Sequence, residues 1–150
     1  MLEVAIRNKK EMQKIAGMLA KELKPFSSHK AIVLALEGNL GSGKTTFTQG
    51  LASALGIREK VLSPTFVLVK IYQLPKSKKF KHLIHIDCYR LNSSKELEVL
   101  GFKSFLDDSS SLVVIEWADR VRKILPPDST WISFRHGDKS NERILQLNFQ

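Results

Sequence analysis

Apolar residues at Leu2, Val4 and Ile6 alternate with less apolar neighbours, the period of a short strand. The period then lengthens. Met12, Ile15, Ala16, Leu19 and Leu23 trace one face of a helix, and Asn8 with Glu11 has capping-box spacing at its start. Pro25 is expected to end that helix. Ala31-Ile32-Val33-Leu34-Ala35-Leu36 is apolar throughout and partly β-branched, as a parallel strand buried on both faces should be. Thr45 to Leu55 reads as a second helix, with Phe47, Leu51 and Leu55 at spacing four and Gly56 as its stop.

Later in the chain strand signals dominate. Phe66 to Tyr72 is rich in strand formers. Pro75 and the run Lys76 to Lys81 form an exposed loop, a hairpin connection to a strand marked by Leu83, Ile84 and Ile86 and ending at Asp87. Ser93 and Glu96 open a short helix whose core candidates are Leu97, Leu100 and Phe105. Leu112-Val113-Val114-Ile115 is another fully apolar strand, ending at Glu116. Ala118 to Ile124 predicts a short helix stopped by Pro126-Pro127. Trp131 to Phe134 and Ile144 to Leu147 predict a last pair of strands around His136-Gly137-Asp138. The alternation predicts an α/β fold: one P-loop NTPase-like domain over residues 1–150, with a central mixed sheet of about seven strands flanked by helices.

The loop between the apolar strand and the second helix changes the picture. Gly38-Asn39-Leu40-Gly41-Ser42-Gly43-Lys44-Thr45 reads G-x-x-x-x-G-K-T, the phosphate-binding P-loop. Its glycines let several backbone N–H groups converge on one anion, and the following helix adds its positive end. Lys44 supplies a point charge for β- and γ-phosphates, and Thr45 a hydroxyl for Mg²⁺. Strand, loop and helix stand in the order this chemistry needs.

A P-loop also needs a carboxylate at a neighbouring strand end. Glu116 has the usual placement and is assigned to the metal beside Thr45; Asp87 is the second candidate, suited to orienting the attacking water. Both carboxylates could instead be ordinary strand-end acids. Pro64 fixes the approach of Thr65, whose hydroxyl could reach Mg²⁺ or the γ-phosphate as a switch threonine does, or Ser63-Pro64-Thr65 could be only a turn. Trp117 follows Glu116 and lines the site, or packs in the core. His82 and His85 belong to a strand rather than to a zinc site, since no histidine has metal-ligand spacing with cysteine or acid partners.

Composition bounds the rest. The chain has 150 residues, 43% hydrophobic, with no apolar run near the length of a membrane span and no signal-peptide pattern. Cys88 is the only cysteine, read as a small buried apolar residue. These features lead to an expectation of a cytoplasmic protein. The net charge is +9, with lysines scattered along the chain, and no aromatic platform accompanies the lysine run. Direct nucleic-acid binding therefore rests on charge alone. A GTPase is disfavoured by the lack of N-K-x-D, which leaves ATP. A small-metabolite kinase would need a lid rich in arginine, and only Arg120 and Arg122 cluster. A nucleotide-dependent binding module with incidental hydrolysis is the remaining alternative.

Taken together these residues resemble the TsaE (YjeE) family of small bacterial ATPases. The resemblance rests on the P-loop with Thr46 and Phe47, on Ser63-Pro64-Thr65-Phe66, and on His85-Ile86-Asp87-Cys88-Tyr89-Arg90-Leu91. Glu96-Leu97, Leu100-Gly101-Phe102 and Ile115-Glu116-Trp117-Ala118-Asp119-Arg120 complete it. Asn39 and Ser42 stand where members often carry Asp and Ala; neither position supplies an obligatory phosphate ligand. The resemblance implies that Thr45, Thr65, Asp87 and Glu116 surround Mg-ATP and that Trp117 belongs to the site. It also implies a helper role in making N6-threonylcarbamoyladenosine (t6A) beside the anticodon of tRNAs reading ANN codons. Such a helper works with a TsaD–TsaB heterodimer, reaches tRNA through that complex, and resets it by hydrolysing ATP.

Overall fold

The computed structural model describes residues 1–24, 29–66 and 68–149. Seven strands form one sheet: β1 (Leu2–Ile6), β2 (Ile32–Gly38), β3 (Val69–Gln73), β4 (His82–Asp87), β5 (Ser111–Glu116), β6 (Thr130–His136) and β7 (Arg143–Asn148). Their order is β1-β7-β6-β2-β5-β4-β3. The four central strands are parallel: β2 pairs with β5 and β6, and β4 with β5. β3, β7 and β1 join antiparallel. The expected mixed sheet is present.

Two helices, α1 (Lys9–Glu22) and α2 (Lys44–Ala54), cover one face. Leu34 and Leu36 of β2 and Leu112 and Val114 of β5 point into the core beneath them. α3 (Ser94–Val99), α4 (Phe102–Leu106) and a 3₁₀ helix, Ala118–Ile124, cover the other face over Val33, Ala35, Val113 and Ile115. The unbroken apolar runs of β2 and β5 thus fill two cores, one per face. Gly50 lets α1 and α2 cross closely, since a Cβ there would lie 2.5 Å from Gln13 Cα. Asn8 caps α1 by accepting from the Glu11 N–H at 2.9 Å. The reciprocal arm differs from a simple capping box: Glu11 accepts from the Arg7 N–H at 2.8 Å. Pro25, the expected end of α1, lies outside the described residues.

Two expected elements need correction. The strand expected from Phe66 starts only at Val69. Phe66 sits in a turn, 83% exposed, and the Leu68 N–H closes onto the Pro64 carbonyl at 2.7 Å with φ +66° at Leu68. A left-handed residue breaks the extended run despite its β propensity; Val67 lies outside the described residues. The helix opened by Ser93 is two helices, broken at Gly101 with φ +86°. That break buries Phe102 and turns Leu100 outward, 45% exposed, so Leu100 is not a core residue. The short helix expected over Ala118 to Ile124 is present, with 3₁₀ geometry. The lysine loop does connect an antiparallel pair, anchored by buried Leu74 and Phe80. Among the described residues no helix is long and apolar enough to cross a membrane.

Candidate functional site

At the carboxyl ends of β2, β4 and β5 the chain forms a cleft of about 350 Å³. The loop from Leu40 to Thr46 walls one side, and Ser63, Thr65, Asp87, Tyr89, Glu116 and Trp117 wall the other. This is where a parallel α/β sheet presents its ligand crevice. Gly38 and Asn39 face a neighbouring hollow with Asp119 and Phe134. They take part in the cleft through their carbonyls, described next. A side chain at Gly38 is excluded twice over, by φ +151° and by the Phe134 carbonyl 2.5 Å from any added Cβ.

Lys44 opens α2 and is only 5% exposed. Its ammonium donates to the Gly38 carbonyl at 2.5 Å, the Asn39 carbonyl at 3.0 Å and Ser42 Oγ at 3.3 Å. It also lies 4.2 Å from the centre of the Trp117 ring, a cation–π contact. Burial lowers its pKa from the ordinary lysine value, and Glu116, Asp119 and Asp87 pull the other way. Phosphate oxygens would compete with the loop oxygens for this ammonium.

The next residue, Thr45, donates its hydroxyl to Glu116 Oε1 at 2.7 Å. The other oxygen of Glu116 meets His85 Nε2 at 2.5 Å. β4 and β5 run parallel with Asp87 opposite Glu116, so the two carboxylates emerge side by side. Asp87 Oδ2 accepts from Thr65 Oγ1 at 3.0 Å and from Ser63 Oγ; Oδ1 accepts from the Tyr89 N–H at 2.8 Å. The Asp87 N–H in turn donates to the Leu68 carbonyl at 2.9 Å, strapping the threonine loop to the end of β4. Trp117 has left-handed backbone, φ +58°, a conformation costing about 1–3 kcal/mol for a non-glycine residue. Its ring meets Tyr89 at 5.0 Å, and the Arg120 guanidinium covers both rings at 5.3 Å. That turn is held where the ring can wall the cleft.

Of the sequence-predicted residues, Leu40 to Thr46, Thr65, Asp87, Glu116 and Trp117 line this one cleft, whereas Gly38 and Asn39 line the neighbouring hollow. Ser63 and Tyr89 were not anticipated as parts of the wall, nor Arg120 as the cover over the Tyr89 and Trp117 rings. The contact of buried His85 with Glu116 was not anticipated either, although the alternation Leu83-His85-Asp87 places it on the same strand face as Asp87. Among the described residues no group of three or more His, Cys, Asp or Glu side chains could hold a metal by itself. The donors are hydroxyl and carboxylate oxygens beside an ammonium. That set suits an anion accompanied by a hard cation, such as Mg²⁺, which keeps waters and shares phosphate oxygens.

Known proteins resemble this chain over nearly its whole length. Residues 6–145 match the family described as "Threonylcarbamoyl adenosine biosynthesis protein TsaE". A Haemophilus influenzae protein called tRNA threonylcarbamoyladenosine biosynthesis protein TsaE is 33% identical over 139 residues, covering 91% of this chain and 85% of its own. The Bacillus subtilis protein of the same name is 38% identical over 139 residues, covering 90% and 78%. A crystal structure of Bacillus subtilis YdiB superposes with a TM-score of 0.77 at 30% identity, covering 99% of this chain and 84% of that one.

Proposed function

Because this chain belongs to the TsaE family, we propose that it is a cytoplasmic Mg-dependent ATPase serving t6A formation on tRNAs reading ANN codons. It acts with a TsaD–TsaB heterodimer and meets tRNA through that complex. The observation that carries the reading is the convergence of Lys44, Thr45, Thr65, Asp87 and Glu116 on one cleft beside the phosphate loop. A bound Mg²⁺ would offset charge on the β- and γ-phosphates.

The protein's own residues divide the work. Lys44 leaves its loop carbonyls for the phosphates. Thr45 Oγ1 and Glu116 Oε1, already in contact, supply the oxygens for the cation. Asp87 orients and deprotonates the attacking water, assisted by Thr65. Asp87 Oδ2 accepts from two hydroxyls and Oδ1 from one backbone N–H, so Oδ1 keeps a lone pair with which to orient a water. The Tyr89–Trp117 ring pair, 5.0 Å apart, and the Arg120 guanidinium over it flank the cleft beside Glu116.

The test is ATP turnover by the purified protein with and without a TsaD–TsaB pair. Turnover well below the ~10 s⁻¹ of an average enzyme, rising when the pair is added, is the expected result. Fast turnover indifferent to the pair overturns it.

A further inference from the structure

His85 is fully buried in the middle of β4, on the face that packs under α1 and α2. Its neighbours on that face are Leu83, two residues before it, and Val114, its register partner on β5. Both belong to the apolar core. An aliphatic side chain would suit this position better, because a buried imidazole must satisfy two ring nitrogens. Only one is satisfied. Nε2 meets Glu116 Oε2 at 2.5 Å, whereas Nδ1 has no hydrogen-bond partner among the described residues. A carboxylate only accepts, so Nε2 carries the proton and donates it. The cost of the orphaned Nδ1 has a single visible return, the bond to Glu116.

That bond fixes how Glu116 faces the cleft. Oε2 is held in the core by His85, while Oε1 receives the Thr45 hydroxyl at the cleft wall. We infer that His85 is a positioning residue of the nucleotide site: by holding Oε2 it leaves Oε1 as the one carboxylate oxygen offered to a cation. Single-oxygen ligation suits Mg²⁺, with its strict octahedron and retained waters. Ca²⁺ is larger and readily takes both oxygens of a carboxylate. His85 therefore tunes the site toward Mg²⁺ and away from Ca²⁺. The inference rests on the reading of Glu116 as the carboxylate that serves the metal.

The experiment measures binding of a non-hydrolysable ATP analogue by calorimetry in EDTA, Mg²⁺ or Ca²⁺. Wild type is compared with His85→Leu, which keeps an apolar filler, and His85→Gln, whose amide N–H replaces the Nε2 donor. In wild type Mg²⁺ should strengthen binding more than Ca²⁺. His85→Leu should keep metal-free binding, which reports an intact fold, while the gain from Mg²⁺ falls roughly 10- to 100-fold, the usual effect of losing an outer partner of a metal ligand. Its preference should shift toward Ca²⁺, and His85→Gln should restore much of the wild-type pattern. Should the leucine variant fail to fold, His85→Asn replaces it, as polar as glutamine but too short to reach Glu116. Variants with the wild-type gain and the wild-type Mg²⁺/Ca²⁺ preference overturn the inference alone. A wild-type protein that gains nothing from either metal overturns the Mg-ATP reading and the inference with it.

Discussion

Thr45 and Glu116 stand 71 residues apart in the chain and are joined by a 2.7 Å hydrogen bond at the mouth of the cleft. The bond exists because β2 and β5 are parallel neighbours, with Leu36 in register with Glu116. α2 starts just beyond β2, so its first turn meets the end of β5. Asp87, one strand further out, is bonded instead to the hydroxyls of Ser63 and Thr65. Two carboxylates side by side thus have different partners, and their substitutions should separate. Glu116→Gln is expected to weaken the Mg²⁺ dependence of ATP binding together with hydrolysis. Asp87→Asn should retain Mg-ATP binding while turnover falls roughly 10²-fold or more, the scale of one general base. Metal titrations of nucleotide affinity beside single-turnover hydrolysis check both; the opposite pattern would reverse the two roles.

Trp117 carries an optical prediction. The Lys44 ammonium sits 4.2 Å from its ring, and phosphates should draw that charge away. Intrinsic fluorescence should therefore change when Mg-ATP is added. The second tryptophan, Trp131, is covered by the Arg122 guanidinium at 3.7 Å and is not among the residues lining the cleft, so it serves as background. Trp117→Phe should abolish the change. Lys44→Ala should abolish it too, because the variant loses nucleotide affinity; calorimetry distinguishes that loss from a silent optical effect.

Gly50 tests the packing that seats the P-loop helix. In an exposed helix Gly→Ala gains about 1 kcal/mol. Here the new methyl would press on Gln13 Cα at 2.5 Å and on the Gln13 carbonyl oxygen at 2.7 Å, backbone atoms that cannot rotate away. Overpacking of this kind costs about 1–3 kcal/mol. Gly50→Ala should accordingly be neutral to destabilising, by up to about 2 kcal/mol net, in a urea titration. A more stable variant would show that α1 can slide on α2.

Cys88 makes a pH prediction. Burial, with Asp87 and Asp119 nearby, raises its thiol from an ordinary 9.0 to about 12. The unfolded chain gives up that proton at lower pH than the native chain does. Between about pH 9 and 12 the native state therefore binds more protons, and stability falls as pH rises, by at most about 1.4 kcal/mol per pH unit from this group. Cys88→Ser should flatten that alkaline limb in denaturant titrations from pH 8 to 11. At pH 8 the native thiol should resist alkylation until the protein is unfolded; rapid labelling of folded protein would contradict its burial.

Much of the fold was legible because its central strands are buried on both faces and so read as unbroken apolar runs. Ile32 to Leu36 and Leu112 to Ile115 needed no tertiary knowledge, and the residues ending β4 and β5 could be read off as Asp87 and Glu116. The turn after Pro64 was not legible. Phe66 and Leu68 are strand formers by type, yet the Leu68 carbonyl is needed for the Asp87 N–H and Thr65 is needed at the Asp87 carboxylate. Those demands come from residues some twenty positions away. Gly101 was visible in the sequence, but its effect, burying Phe102 and exposing Leu100, depends on the core it packs against. His85 was passed over as an ordinary strand residue because its partner lies on another strand, 31 positions on.

No short piece of this chain contains the cleft. Its walls come from residues 40–46, 63–65, 87–89 and 116–117, and they meet only once β2, β5 and β4 have paired. An unfolded chain consequently offers a nucleotide nothing beyond scattered lysines, and binding is confined to the folded state. Mass action then makes the nucleotide a folding ligand, adding about 2.7 kcal/mol at a concentration one hundred times its dissociation constant. The energy charge of the surroundings would set not only how often the cleft is filled but how long the protein survives against proteases that attack its unfolded form.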